Sequence, residues 1–87
     1  MNSKVLIKID SFALNETYDL FIPVNEVMWK LKAMIVKSIC DLEHLSFDIN
    51  DEYVFINKSS GKVYDNNDVI IDTDIRNGTE LLLIKKG

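Results

Sequence analysis

The stretch Asn25–Leu42, NEVMWKLKAMIVKSICDL, decides the fold. Its apolar residues recur at helical spacing, and one stripe holds Met28, Leu31, Ile35, Ile39 and Leu42. No glycine or proline interrupts it, and Asn25 is a natural N-cap. The pattern predicts one long helix of about 17 residues. Because an amphipathic helix cannot bury its apolar stripe alone, the flanking segments must supply a second layer.

Composition limits the classes of protein. A chain of 87 residues with 47% hydrophobic content predicts a single domain, residues 1–87, with an apolar core. One cysteine excludes an internal disulfide and fits a reducing compartment. We expect a cytoplasmic protein, because neither a secretory signal nor a membrane-spanning apolar run is present. A net charge of −4 argues against nucleic acid as a partner.

Two strands are predicted before the helix. Lys4–Asp10 and Thr17–Ile22 both alternate between apolar and polar residues, and about six residues separate them, which indicates a hairpin. Pro23 removes a donor from the ladder and closes the second strand. The predicted inward residues are Val5, Ile7, Ile9, Tyr18, Leu20 and Ile22.

Three further strands are predicted after the helix, at Tyr53–Asn57, Val63–Tyr64 and Glu80–Lys85. In the first of them we expect Val54 and Ile56 to face the core and Phe55 to face solvent. A turn with positive φ is expected at Gly61, and a second turn is expected at Asn77-Gly78. The acidic loop after the helix is expected to be pinned to the core by Leu45, Phe47 and Ile49.

The order of elements predicts an α+β fold in which a mixed four- to five-stranded sheet packs on one long helix, with the first and last strands parallel in the middle. This is the β-grasp arrangement, and the chain resembles ubiquitin-like proteins along nearly its whole length. The residues that carry the resemblance are Pro23, the helix run Leu31–Ile35, the turn Gly61-Lys62, and Asp72–Ile75 followed by Thr79–Leu83.

Within that superfamily the chain is most similar to the YukD/EsaB family, the small bacterial ubiquitin-like proteins of type VII (WXG-type) secretion loci. The similarity lies in Thr17–Leu20 before Pro23, in the entry into the helix after Pro23, and in Asn77-Gly78 before a leucine-rich last strand. It implies a non-catalytic, cytoplasmic accessory or regulatory component that acts by protein contacts. The implied partner is the cytoplasmic part of a membrane protein or ATPase of the secretion system.

The alternative is a ubiquitin-like modifier or sulfur carrier whose C-terminal glycine is activated. Such proteins expose a flexible Gly-Gly tail, whereas this sequence ends Lys85-Lys86-Gly87 with one glycine, so we favour the non-conjugating interpretation. No catalytic constellation, cofactor motif or metal site is predicted. His44 has no nucleophile at recognisable spacing, and Cys40 stands alone.

The first predicted protein-binding surface is a second stripe on the helix, with spacing i, i+4, i+7 and i+11. It consists of Trp29, Ala33, Val36 and Cys40. An exposed tryptophan beside valine and cysteine is typical of an interface, and self-association into a homodimer is one outcome. In the alternative, the acidic loop or the N-terminus folds over Trp29 and covers the stripe.

The second predicted surface is the outer face of the sheet. Phe55 is expected there beside Leu82 or Ile84, with Lys8 nearby. By resemblance, this set matches the apolar contact patch of ubiquitin. The alternative is that these are ordinary exposed apolar residues, which are common on strands.

Overall fold

The computed structural model, which describes residues 3–48 and 50–86, is a four-stranded sheet with one helix packed on one face. Its elements in chain order are β1 (Lys4–Ser11), β2 (Glu16–Pro23), α1 (Met28–Leu42), β3 (Glu52–Asn57), a 3₁₀ turn (Ile70–Asp72) and β4 (Glu80–Lys86). The strand order is β2-β1-β4-β3, with β1 parallel to β4 and the other two pairs antiparallel. The predicted α+β β-grasp arrangement is confirmed, including the central parallel pair. The predicted Val63–Tyr64 strand is reduced to one isolated bridge between Val63 and Ile56.

The hairpin of β1 and β2 follows the sequence pattern. Ile7 and Ile9 of β1 and Ile22 of β2 are buried, and Val5, Tyr18 and Leu20 pack partly buried against the same core. Their polar neighbours lie on the opposite face, because successive side chains of a strand alternate. The predicted inward face of both strands is confirmed.

The helix is shorter than predicted, with 15 residues, and Asn25 is not its cap. Val27 takes the N-cap position and is held extended by a bridge to Val69, and its apolar side chain cannot accept a capping hydrogen bond. The first-turn N–H groups of Met28 and Trp29 instead donate to the backbone carbonyls of Asp68 (2.7 Å) and Asn66 (3.1 Å). Backbone from the returning chain therefore satisfies the donors that an N-cap side chain would otherwise take.

The buried face of α1 turns along its length. Met28, Leu31, Ile35 and Ile39 are buried as predicted, but Val36 and Cys40 are buried too and Leu42 is exposed. At 100° per residue, Leu42 points about 200° away from Cys40, so burying Cys40 sends Leu42 to solvent. The prediction that Leu42 belongs to the core stripe was wrong.

The faces of β3 are the reverse of those predicted. Phe55 is 1% exposed and belongs to the core, whereas Val54 and Ile56 lie on the outer face and are partly exposed. This choice also turns Asn57 inward, where its carboxamide is satisfied locally. Its Oδ1 accepts the N–H of Ser59 at 2.9 Å, and its Nδ2 donates to the Tyr64 hydroxyl at 3.1 Å.

The chain between β3 and β4 is held by two turns and by the buried side chain of Ile75. Gly61 has a φ of +74°, as predicted, and Gly78 has a φ of +86° in the predicted Asn77-Gly78 turn. Ile75 is buried, as is Thr73, whose hydroxyl bonds the backbone on either side of it. In the loop after α1, Phe47 packs against the core but Leu45 is exposed, and Ile49 lies outside the described residues.

Candidate protein-binding surfaces

The outer face of the sheet carries an apolar cluster, here called the outer patch, on the neighbouring strands β3 and β4. Its members are Val54, Ile56, Leu82 and Ile84. Val54 lies opposite Ile84 and Ile56 opposite Leu82, so the four side chains form two adjacent cross-strand pairs. Helix α1 packs on the other face, and all four residues retain partial exposure.

Ion pairs border the outer patch at both ends. Lys58 bonds Asp10 beside the Ile56–Leu82 pair, and Lys86 lies 3.9 Å from Glu52 beyond the Val54–Ile84 pair. Bonding to Lys58 holds the pKa of the Asp10 carboxyl below its usual range, with a further contribution from the Thr17 hydroxyl. An apolar centre with a charged rim is the usual anatomy of a protein–protein contact surface.

Two more apolar residues extend the outer patch. Phe12 is 74% exposed in the β1–β2 turn, and its N–H donates to the Leu83 carbonyl at 3.2 Å, which places it beside β4. Val63 is exposed and bridges Ile56. Sequence reasoning did not assign either residue to a surface.

The residues predicted for this face are only partly where they were expected. Leu82 and Ile84 lie on the outer face, as does Lys8, but Lys8 is on β1 opposite Asp19 and Glu80 and not within the apolar cluster. Phe55 was predicted to face outward and is buried, so it cannot contact a partner. Its strand neighbours Val54 and Ile56 take that place.

The predicted helix stripe is divided between core and surface. Val36 and Cys40 are 4% and 7% exposed, so the expectation of an exposed Val–Cys patch was wrong for these two residues. After α1 the chain turns back, with the Leu45 N–H donating to the Cys40 carbonyl at 2.8 Å, and Phe47 packs against the core. Trp29 remains 51% exposed, with the Lys30 ammonium 5.6 Å from its ring centre.

A groove of about 580 Å³, here called the α1–β3 groove, separates the helix from the edge of the sheet. Its helix wall is formed by Trp29, Lys32, Ala33 and Val36, which include three residues of the predicted stripe. Across the groove lie β3 and the segment that leaves it, with Tyr53 and Tyr64. The Lys32 ammonium reaches over the groove and donates to the Tyr53 carbonyl at 3.0 Å.

A polar cluster of buried Asn57, buried Tyr64 and exposed Asp74 fixes the segment that follows β3. The Tyr64 hydroxyl donates to the Asp74 carboxylate and accepts from the Asn57 side chain. Burial, together with the bond to Asp74, raises the pKa of Tyr64 to about 12. Because Tyr64 also lines the α1–β3 groove, this cluster holds one wall of the groove in place.

Reactive chemistry was not predicted for this chain. In the part of the chain that the structure describes, no three His, Cys, Asp or Glu side chains are grouped so that they could hold a metal ion. Cys40 is a buried thiol, and His44 is an exposed residue with φ of +57° at the end of α1. Across residues 3–48 and 50–86 no helix combines the length and apolar character needed to cross a membrane.

Comparison with known proteins identifies the fold. No protein-family profile matches the chain, and no curated protein matches it. Among solved structures, the chain is similar to the N-terminal ubiquitin-like domain in the 4931431F19Rik protein, with a TM-score of 0.71, 15% identity, and coverage of 100% of this chain and 79% of that one. It is also similar to a chain of a structure described as molecular mimicry of SUMO that promotes DNA repair, with a TM-score of 0.71, 19% identity, and coverage of 97% and 94%.

A third similar structure is part of a larger assembly, the MycP5-free ESX-5 inner membrane complex in State II. The TM-score is 0.67 and the identity 8%, and the match covers 95% of this chain but 21% of that one. A chain of the toluene 4-monooxygenase HD complex with 4-bromobenzoate also has this shape, with a TM-score of 0.76, 10% identity, and coverage of 97% and 100%. At these identities the comparisons identify a ubiquitin-like β-grasp fold and nothing finer.

Proposed function

We propose that this chain is a non-conjugating ubiquitin-like accessory or regulatory component of a bacterial type VII (WXG-type) secretion system, which works in the cytoplasm by binding other proteins. The observation that carries the binding role is the outer patch. Its two apolar cross-strand pairs face away from α1 and are bordered by ion pairs. A clustered apolar surface with a charged rim favours a protein partner, because contact would remove that surface from water.

The secretion role rests on the sequence resemblance to the YukD/EsaB family. The residues Thr17–Leu20, Pro23 and Asn77-Gly78 carry it, and they shape β2 and the turn before β4. The proposal is supported by the similarity in fold to part of one chain of the MycP5-free ESX-5 inner membrane complex. The partner we propose is the cytoplasmic part of a membrane protein or ATPase of the secretion system.

The direct test is titration of the labelled protein with the cytoplasmic domain of the secretion ATPase encoded at the same locus. We expect chemical-shift changes centred on Val54, Ile56, Leu82 and Ile84. Ile84→Lys should weaken binding by about tenfold or more, since a lysine at the centre of an apolar contact must be desolvated. Phe21→Lys is the matched control, because Phe21 is also an exposed apolar residue on the outer face but lies on β2.

The same variants test the role in the native host. Secretion of the WXG-type substrate should fall on deletion of the gene, and should return with wild type and Phe21→Lys but not with Ile84→Lys. Full secretion without the gene, or shifts that spare the outer patch, would reject the proposal. Circular dichroism of each purified variant separates loss of binding from loss of folding.

The terminal glycine separates the proposal from the modifier or sulfur-carrier alternative. Gly87→Ala leaves every residue of the outer patch in place, so we expect secretion to be unchanged. An activating enzyme that adenylates the terminal carboxylate requires glycine there. Loss of secretion in Gly87→Ala, with release of pyrophosphate from ATP by wild type and an activating enzyme, would favour the alternative.

A further inference from the structure

Within residues 3–48 and 50–86, the backbone covers only part of the sheet edge at β3. An isolated bridge between Ile56 and Val63 covers the C-terminal end of β3. The chain then leaves the sheet toward the start of α1, where the Asn66 carbonyl accepts the Trp29 N–H. The N-terminal half of β3 therefore opens directly onto the α1–β3 groove.

Backbone groups of Tyr53 point into this opening. The Asn57 N–H donates to the Lys62 carbonyl at 2.9 Å, on the side of β3 away from β4. Backbone groups alternate in direction along an antiparallel strand, so those of Tyr53, four residues earlier, point the same way. The Tyr53 carbonyl accepts the Lys32 ammonium there, and its N–H has no acceptor among residues 3–48 and 50–86. An unpaired N–H at a strand edge is available to an added strand.

Lys32 supplies a charge that the groove does not neutralise. It is half-buried, and burial lowers the pKa of its ammonium, with repulsion from Lys86 adding to the effect and Glu52 opposing it. Among the described side chains no carboxylate lies within 4 Å of it. Glu52 and Asp51 also line the groove, but they pair with Lys86 and Lys85. A carboxylate brought into the groove would therefore gain a partner at Lys32.

We propose that the α1–β3 groove binds an extended segment of a partner protein, apolar in character and bearing one aspartate or glutamate. The segment adds to the open edge of β3, and one of its backbone carbonyls accepts the Tyr53 N–H. The Lys32 ammonium then moves from the Tyr53 carbonyl to the carboxylate of the segment. The carbonyl then accepts an N–H of the added segment. One apolar side chain enters between Trp29 and Tyr53, against Ala33.

The remaining charges give the segment a direction. Asp65 also lines the groove, at the end where the adjacent Asn66 bonds Trp29, so a carboxylate is disfavoured at that end and favoured near Lys32. The open part of β3, Glu52–Val54, accommodates about 10 Å of extended chain at roughly 3.3 Å per residue. This inference does not depend on the secretion role, because Lys32, Ala33 and Tyr53 of the groove lie outside the outer patch, and the two surfaces meet at Val54 and Val63.

The probe is a displayed library of random dodecapeptides, selected on the whole protein. We expect enriched peptides to combine apolar residues with an acidic one and to bind the wild type. In labelled protein they should shift the Tyr53 amide and the Trp29 indole signals and slow hydrogen exchange of the Tyr53 amide by about tenfold. That slowing reports strand addition, since a side chain that only fills the groove leaves the Tyr53 N–H exchanging.

Two variants and a control decide the result. Ala33→Arg fills the groove and should weaken peptide binding by about tenfold or more, and Lys32→Glu should remove the preference for an acidic residue. Met34→Arg is the matched control, because Met34 is exposed on the same helix outside the groove, and it should bind as wild type does. Thermal unfolding of each variant checks its folding, and Lys32→Glu keeps the test valid if Ala33→Arg does not fold.

Three results would overturn the proposal. The first is no enrichment on wild type over Ala33→Arg, and the second is binding that leaves the Tyr53 amide exchange unchanged. The third is a dimer of wild type in sedimentation that Ala33→Arg dissociates, because a second copy would then be the occupant. If the groove proposal is overturned in one of these ways, but Ile84→Lys still weakens binding to the secretion ATPase, the outer patch proposal stands.

Discussion

Truncating Phe55 should be far more destabilising than truncating its neighbour Ile56, and this difference tests which face of β3 meets a partner. Phe55 is 1% exposed, so Phe55→Ala should cost about 3–5 kcal/mol of unfolding free energy through lost burial and the cavity it leaves. Ile56 is partly exposed on the outer face, so we expect Ile56→Ala to cost about 1–2 kcal/mol. A domain of 87 residues is stable by roughly 4–13 kcal/mol, so the first change removes a large share.

Urea unfolding measured by circular dichroism gives both values. With a denaturant slope of about 1–1.5 kcal/mol per molar, Phe55→Ala should lower the midpoint by roughly 2–5 M and Ile56→Ala by roughly 0.7–2 M. If Phe55→Ala does not fold, Phe55→Leu should still be the more destabilising per removed carbon. Equal costs, or a larger cost at Ile56, would refute the assignment of faces and with it the outer patch.

Three other predictions concern buried polar and thiol groups. Because the pKa of Tyr64 is raised to about 12 from 10.0, its contribution to stability is complete below pH 10 and is lost as pH rises through 12. Absorbance at 295 nm should show that one tyrosine ionises later than the others. This last ionisation should be absent in Tyr64→Phe. Thr73→Val should cost about 1–3 kcal/mol in urea unfolding, because it leaves the buried Ile75 N–H without the Thr73 hydroxyl, whereas Thr73→Ser should cost less. The Cys40 thiol is 7% exposed, so it should react with Ellman's reagent only as fast as the protein opens, and rapid native-state labelling would contradict its burial.

The sequence was sufficient where apolar and polar residues alternate clearly. In β1 the run from Lys4 to Asp10 separates its isoleucines from lysines and aspartate, so both the strand and its inward face were predictable. The central parallel pair followed from the apolar character of the first and last strands. These features depend on local pattern and on burial, which a sequence displays directly.

The start of the helix could not be predicted from local signals. Asn25 is a good capping residue, but the position of α1 is set by backbone 40 residues later in the chain, where Asp68 and Val69 hold Val27 and Met28. A capping side chain contributes about 1 kcal/mol, which a set of backbone contacts from a packed segment readily exceeds. Long-range contacts of this kind leave no mark within the helix sequence itself.

The faces of β3 were misassigned for a related reason, yet the apolar outer surface did not depend on that choice. In YVFIN the residues of both strand faces are apolar apart from Asn57, so the alternation does not distinguish a buried face from an exposed one. The polar Asn57 favoured assigning its own face to solvent, which was wrong. Its bonds to Ser59 and Tyr64 remove the cost of turning it inward. Helix α1 covers only one face of the sheet, so whichever row turned inward, the other had to remain apolar beside Leu82 and Ile84. An outer apolar surface therefore follows from the apolar composition of β3 and from the fact that one helix covers only one face of the sheet. Which residues form that surface depends on Asn57, whose side-chain amide finds hydrogen-bond partners when it turns inward.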